Sequence, residues 1–231
     1  MYASPTTPRA DALFSTLLQQ VYGWMAGGLA LTGLVAWYVA QSPALINLVF
    51  GNRAVFFGLI IFELGLVFGL SWGLTRMTAS MAVGAFLLYA AVNGITMAAI
   101  FLVYTSESIA STFLVTGGTF AAMSIYGYTT KRDLSSWGNL LFMGLIGLII
   151  ASVVNIFLQS NALGWVVTYA GILIFVGLTA YDTQKIKEMS ARIDARDGEN
   201  FQKMAIMGAL RLYLDFINLF LYLLRILGKR E

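Results

Sequence analysis

Seven apolar runs, each long enough to cross a lipid bilayer and divided by short polar breaks, constrain this chain more than any other feature. They cover approximately residues 18–40, 54–74, 79–103, 110–128, 138–158, 163–181 and 204–227. About 20 helical residues span ~30 Å of hydrocarbon, and each run is close to that length. The breaks carry turn or charge signals: Gln41-Ser42-Pro43, Asn52-Arg53, Thr75-Arg76, Ser106-Glu107-Ser108, Lys131-Arg132-Asp133 and Ser160-Asn161. Hydrophobic residues make up 59% of the 231 and charged residues 11%, against roughly 25% charged in soluble domains. One soluble core of this size cannot hide that much apolar surface. The expected fold is an all-α integral membrane protein, one seven-helix transmembrane domain over residues 1–231.

The N-terminus does not read as a cleaved signal: its first apolar run is too long and lacks a small-residue cleavage site. Residues 1–17 are expected to form a short cytoplasmic segment. With the N-terminus inside, the inner segments hold Arg9, Arg76, Lys131, Arg132, Lys185, Lys187, Arg192, Arg196 and Lys203, nine basic residues. Arg53, Arg225, Lys229 and Arg230 fall outside, four residues, so the excess of cytoplasmic Lys and Arg favours this orientation. The basic tail pulls the other way, which leaves a full crossing and a re-entrant last segment both open.

The chain has neither Cys nor His. Disulfides, thiolate nucleophiles and imidazole-held metals are excluded, and so is the usual pH switch. Proton sensing near neutrality would fall to carboxylates. No basic stripe with interleaved aromatics points to nucleic acid, and no Gly-x-Ser-x-Gly elbow points to a hydrolase; the chain is not expected to be an enzyme. No cofactor is expected to bind tightly. Gly23-Trp24-Met25-Ala26-Gly27 and Gly65-Leu66-Val67-Phe68-Gly69 are small-xxx-small patterns, expected to serve packing inside one bundle rather than a dimer face. A monomer is therefore favoured.

A charge at the bilayer centre costs at least ~2.5–3.5 kcal/mol and is normally paired or functional. Three carboxylates qualify: Glu63, Asp182 and Asp215. Asp215 lies mid-segment on a stripe with Gly208, Arg211, Asn218 and Tyr222 at 3.6-residue spacing. That stripe should face the bundle interior, although Arg211 and Asp215, four apart, could simply pair. Asp182 closes the sixth segment, where a solvated carboxylate at a helix end is the plainer reading. Glu63 would otherwise be a carboxyl bonded to a neighbouring helix. Asn93, Thr96, Thr116, Thr119, Ser124, Ser152, Asn155 and Thr168 are expected to serve as interhelical glue.

Three stretches carry a resemblance: Tyr126-Gly127-Tyr128-Thr129-Thr130-Lys131-Arg132-Asp133-Leu134, Gly177-Leu178-Thr179-Ala180-Tyr181-Asp182-Thr183-Gln184-Lys185-Ile186, and Ala209-Leu210-Arg211-Leu212-Tyr213-Leu214-Asp215-Phe216-Ile217-Asn218-Leu219-Phe220. They resemble the Bax inhibitor-1 family, in its bacterial inner-membrane branch, and the order of apolar segments extends the likeness over essentially the whole chain. The resemblance implies six helices around a central seventh. It also implies a pH-sensitive calcium leak, gated by an aspartate pair that shares a proton, here Asp182 and Asp215, which would also be weak calcium ligands. It implies a basic latch after the second helix, matched by Arg76, and an acidic position matched by Glu63. Tyr213 and Asn218 fall within the matching run as supporting positions. Arg211 departs from some relatives, which carry a small uncharged residue there; its charge would favour ionised aspartates and repel calcium.

Two carboxylates a few ångströms apart in low dielectric cannot both ionise cheaply, so they hold one proton between them. Protonated, they bond two helices together; deprotonated, they repel and expose oxygens of the kind Ca²⁺ prefers. Besides lipid and calcium, a membrane-protein partner is the competing expectation: a non-conducting regulator of a protease or secretion component. A proton-coupled transporter of a small solute is the other, though the three prolines, at positions 5, 8 and 43, break no helix.

Overall fold

A computed structural model describes residues 8–190 and 197–230 of the chain. Among these residues the structure is helical: α1 (Pro8–Ala40), α2 (Pro43–Phe50), α3 (Arg53–Gly73), α4 (Ala79–Met97), α5 (Ile100–Val103), α6 (Ser106–Thr129), α7 (Ser135–Leu158), α8 (Asn161–Ser190) and α9 (Gly198–Leu227). Seven spans are long and apolar enough to cross a membrane, with α4 and α5 together making the third. The protein is an all-α integral membrane protein with seven transmembrane helices. The last span is the most enclosed of the seven, while α3 and α7 are the most open to their surroundings.

Polar side chains in or beside the breaks start the helices that follow by capping them. Ser42, Asn52, Thr78 and Thr105 each accept a bond from a backbone N–H in the first turn of α2, α3, α4 and α6, replacing partners that the first turn lacks. Pro43 opens α2, where its missing N–H costs nothing. Gln159 closes α7 in the left-handed region at φ 50°. Asp197 accepts the backbone N–H of Asn200 at 3.0 Å, which holds its carboxyl below the ordinary 3.8.

Three boundaries differ from the apolar runs. The first helix starts at Pro8, ten residues before the apolar run near residue 18; residues 1–7 of the expected N-terminal segment lie outside the described residues. The eighth runs to Ser190, two turns beyond Asp182. The short helix α2 fills what the sequence suggested was the end of a loop. An apolar run marks where lipid ends, and a helix with satisfied backbone continues past that point.

The described residues form two compact units. One holds α1 to α5 and α9 up to Tyr213; the other holds Tyr104–Lys187 and Leu214–Arg230. In the first, α1 lies along α4. The backbone of Gly94 meets Val35 and the Thr32 carbonyl, and Gly28 lies under the Phe86 and Tyr213 rings. In the second, α9 runs antiparallel to α6 and α8. Phe216 packs on Phe113 and Phe120, with ring centroids 5.2 and 5.5 Å away, and Phe175 stacks on Tyr222 at 6.0 Å.

The chain end settles how α9 terminates. The backbone N–H of Lys229 donates to Ser108 Oγ at 3.0 Å, its carbonyl accepts from Thr105 N at 3.1 Å, and Arg230 forms a bridge with Tyr104. The tail is thus tied to the start of α6. The loop after α6 is tied instead to the far end of α8. An uninterrupted helix of 30 residues is ~45 Å long, so the last segment crosses fully and is not re-entrant.

Among the described residues, nothing packs closely against the small-xxx-small patterns. A Cβ on Gly23, Gly27, Gly65 or Gly69 would meet nothing within 4 Å. Close approach falls to other glycines: Gly28 and Gly94 in the first unit, Gly127, Gly138 and Gly171 in the second.

Candidate functional site

Asp182 and Asp215 both lie inside helices and inside the protein, 9% and 4% exposed. The plainer reading of Asp182, a solvated carboxylate ending a helix, is therefore overturned. It fails because α8 continues for two turns and its next residue, Thr183, is fully buried. The expectation that α9 turns a single polar stripe inward is also too narrow. Leu212, Tyr213, Phe216, Leu219 and Phe220 are as buried as Asp215, while Arg211, Asn218 and Tyr222 are only half-buried. Apolar side chains, and not the polar stripe as a whole, make up most of the buried surface of the helix.

The packing of α8 on α9 has a readable register. Arg225 reaches over Gly164, Gly171 lies under the Tyr222 ring, and Phe175, Leu178 and Leu219 form one buried cluster. Moving toward the C-terminus of α8 thus moves toward the N-terminus of α9. Asp182 is one helical turn beyond Leu178, and Asp215 is one turn before Leu219. Residues four apart share a face, so the next layer of this antiparallel packing carries both aspartates.

The far end of α8 is fastened beside that layer. The Gln184 side chain accepts the N–H of Leu134 at 2.8 Å and donates to the Arg132 carbonyl at 2.8 Å. Lys187 donates to the Tyr128 carbonyl at 3.0 Å and stands 5.1 Å from the centre of its ring. Gly127 lets α6 approach so closely that a Cβ there would overlap the Ala180 carbonyl oxygen. Lys131-Arg132-Asp133 and the run from Tyr181 to Lys187, both prominent in the sequence, are thus one assembly.

The first unit holds a second buried polar group. The Tyr213 hydroxyl is 2.6 Å from Thr32 Oγ1 and donates to Asn93 Oδ1 at 3.0 Å. Thr32 in turn donates to the Ala90 carbonyl at 2.8 Å. The edges of the Tyr213 ring meet Phe86 and Tyr89, with centroids 5.9 and 5.7 Å away. Glu63 accepts the Thr96 hydroxyl at 2.8 Å, a bond to the neighbouring helix that sequence reasoning held open. Arg76 is exposed in the turn after α3. The Asn218 amide donates to the Leu214 carbonyl at 2.8 Å.

Not all the small polar residues act as interhelical glue. Asn93 and Thr96 do reach other helices. Thr116, Thr119, Ser152 and Thr168 instead donate to the carbonyl four residues back on their own helix, a habit of helical Ser and Thr. Asn155 accepts from Ser160 N beyond the end of its helix. Sequence reasoning overlooked Thr32 and Gln184. Nothing in their local sequence marks them, because their partners lie 181 and 50 residues away.

Seven spans and two carboxylates buried on packed antiparallel helices define a multi-span membrane protein with acidic side chains in its interior. The chain belongs to the Bax inhibitor-1 family: residues 15–231 match the family described as inhibitor of apoptosis-promoting Bax1. It is 56% identical to inner membrane protein YbhL of Escherichia coli K12 over 230 residues, which cover 97% of this chain and 98% of that protein. A Borreliella burgdorferi protein is 44% identical over 214 residues, covering 93% and 92% of the two chains. A Rickettsia prowazekii protein is 46% identical over 214 residues, covering 92% and 89%.

Proposed function

We propose that this protein is a pH-sensitive cation leak of a bacterial inner membrane, with calcium as its ion and its N-terminus in the cytoplasm. Asp182 and Asp215 form the gate. The observation that carries this reading is the burial of both aspartates, each one helical turn from the Leu178–Leu219 layer of the α8–α9 packing. Two carboxylates in such a layer share a proton, and the shared proton holds α8 to α9. Losing it leaves two like charges facing each other in low dielectric, and the helices part. The freed oxygens are hard ligands suited to Ca²⁺. Two carboxylates supply far fewer than the roughly 6–8 oxygens of a tight calcium site, so weak binding and passage suit them better than storage. Arg76 serves as latch and Glu63, Arg211, Tyr213 and Asn218 as supporting residues. The inner-membrane location rests on the name of the Escherichia coli relative and the orientation on the loop charges.

The test is reconstitution of the pure protein in liposomes loaded with a calcium-sensitive dye. Influx is recorded from about pH 6 to pH 8, the range over which such a pair is asked to switch, beside Asp182→Asn and Asp215→Asn. The expected result is a flux that rises with pH and that either substitution abolishes or frees from pH. Folded protein with no flux above empty liposomes would refute the leak and favour a regulator that acts by binding another membrane protein.

A further inference from the structure

The buried face of α6 carries polar residues at every turn but one: Ser108, Thr112, Thr116 and Ser124, with Phe120 filling the remaining position. All four are buried, Thr112 and Thr116 completely. Phe120 within the line and Phe113 beside it set their rings against Phe216, the residue after Asp215, so the line runs alongside the half of α9 that carries the proposed gate.

Two hydroxyls in this line break the pattern of the others. Ser108 accepts from Lys229 N, and Thr116 donates to its own helix. On α8 the buried Thr168, Thr179 and Thr183 likewise donate to the carbonyl four residues back. Thr112 Oγ1 and Ser124 Oγ are fully buried and make no hydrogen bond to any described residue. A hydroxyl withdrawn from water without a partner is costly, and buried polar groups lacking one point to a ligand or water. Ser111 already donates to the Ser108 carbonyl, the acceptor to which Thr112 would otherwise turn back. These hydroxyls are held toward the interior at intervals of one to two turns.

We propose that the Ser108–Thr112–Thr116–Ser124 face of α6 is the wetted wall of the conduction path, where hydroxyl oxygens contact the water shell of a divalent cation on its way to or from the aspartates. The inference rests on the leak reading above and adds the route. Neutral oxygens along the wall bind a cation weakly at several places, which suits passage. Ser108 sits at the end of α6 joined to the C-terminal tail and Ser124 toward the end joined to α8, so the wall extends along most of the helix.

The absence of cysteine from the chain makes the test clean. Thr112→Cys and Ser124→Cys are introduced singly, with Leu114→Cys, on the outward face of the same helix, as control. Each protein in liposomes is treated with a charged, water-borne methanethiosulfonate, and both labelling and calcium influx are read. Modification at 112 and 124 but not 114, with loss of flux, is the expected result. Thr112→Val, which keeps shape and removes the hydroxyl, should lower flux by about 2- to 10-fold, the worth of one hydrogen bond. A leak that responds to the Asp182 and Asp215 substitutions while positions 112 and 124 stay unlabelled would overturn the route and leave the gate standing. Labelling that leaves flux unchanged would overturn it too, by reducing the face to a blind wet crevice. Failure of the unsubstituted protein to leak would remove the leak reading and the route with it. If one cysteine variant does not elute as a folded monodisperse species, the other carries the same test.

Discussion

Gly127 offers a sharp test of whether the contact between α6 and α8 controls the gate. A methyl on Gly127 would overlap the carbonyl oxygen of Ala180, two residues before Asp182, and would crowd the carbon and Cα of the same residue. The obstacle is backbone, so no side-chain rotation relieves it. The helices would have to part by on the order of 1 Å to bring the methyl to van der Waals distance. Overpacking of this kind costs about 1–3 kcal/mol, and the better helix propensity of alanine returns at most about 1 kcal/mol, so Gly127→Ala should be destabilising overall. Gly118→Ala on the same helix is the matched control. Its methyl meets nothing within 4 Å, so it should be neutral or stabilising by up to about 1 kcal/mol. Gly138→Ala lies between these cases, because its methyl strikes the ring of Tyr181, which can rotate. The mole fraction of SDS at half-unfolding, followed by tryptophan fluorescence, should fall for Gly127→Ala and hold or rise for Gly118→Ala. An acid–carboxylate hydrogen bond lost over ~1 Å of separation would leave the leak open at pH values where the parent is shut. Equal stability of the two variants, or a pH profile for Gly127→Ala identical to that of the parent, would refute the argument.

Three further outcomes are expected. Tyr213→Phe keeps the ring contacts and removes a hydroxyl shared by Thr32 and Asn93, so a double-mutant cycle with Thr32→Val in the same SDS assay should give a coupling of about 0.6–1.7 kcal/mol; a coupling near zero would show that the buried group is not cooperative. Gln184→Ala removes both bonds that hold the loop at residues 132–134 to α8, so hydrogen exchange at Leu134 should quicken by about 5- to 10-fold, the loss of one bond of ~1 kcal/mol, and unchanged exchange would contradict the clamp. The carboxyl of Asp197 is held below 3.8 chiefly by the Asn200 backbone N–H. Its stabilisation is therefore complete above the ordinary value and lost as pH falls through the depressed one. Asp197→Ala should speed exchange at the start of α9 at pH 6, the difference fading below about pH 4, and equal exchange at pH 6 would count against the cap.

The spans were legible because they rest on apolar length; of the capping residues only Ser42 and Asn52 fall in the breaks read from the sequence, and Thr78 and Thr105 lie just outside them. The extent of α1 and α8 was not legible. Beyond the lipid boundary a helix needs only satisfied backbone and tolerable propensity, and Thr183-Gln184-Lys185 supplies both without any apolar signal. The glycine patterns misled for a related reason. Spacing of four identifies a smooth face on a helix and says nothing about what lies against it; a Cβ on Gly65 or Gly69 would meet no described residue within 4 Å, whereas one on Gly127, outside any such pair, meets backbone. For the candidate site, sequence alone singled out Asp215 by its depth. The burial of Asp182 depended on where α8 stops, and the deep partners of Tyr213 depended on contacts more than a hundred residues apart.

The composition of the interior bears on why a gate built from aspartates suits this chain. With no histidine or cysteine, a change of charge inside the membrane near neutral pH has to come from carboxylates. A pair on two helices adds mutual repulsion when both ionise, and one shared proton replaces that repulsion with a bond between them. The remaining interior oxygens along α6 are hydroxyls, which neither titrate nor hold a cation strongly. On the proposed reading, protonation of the pair would be the switch, and a path lined by neutral oxygens would respond to it without adding a tight site that would trap the ion. The same logic gives Arg211 its importance. In the proposed leak, a fixed cation one turn from Asp215 would oppose calcium in its vicinity, so Arg211→Gln should raise the plateau of the flux. A lower plateau would mean that Arg211 acts on the gate by some route other than its charge.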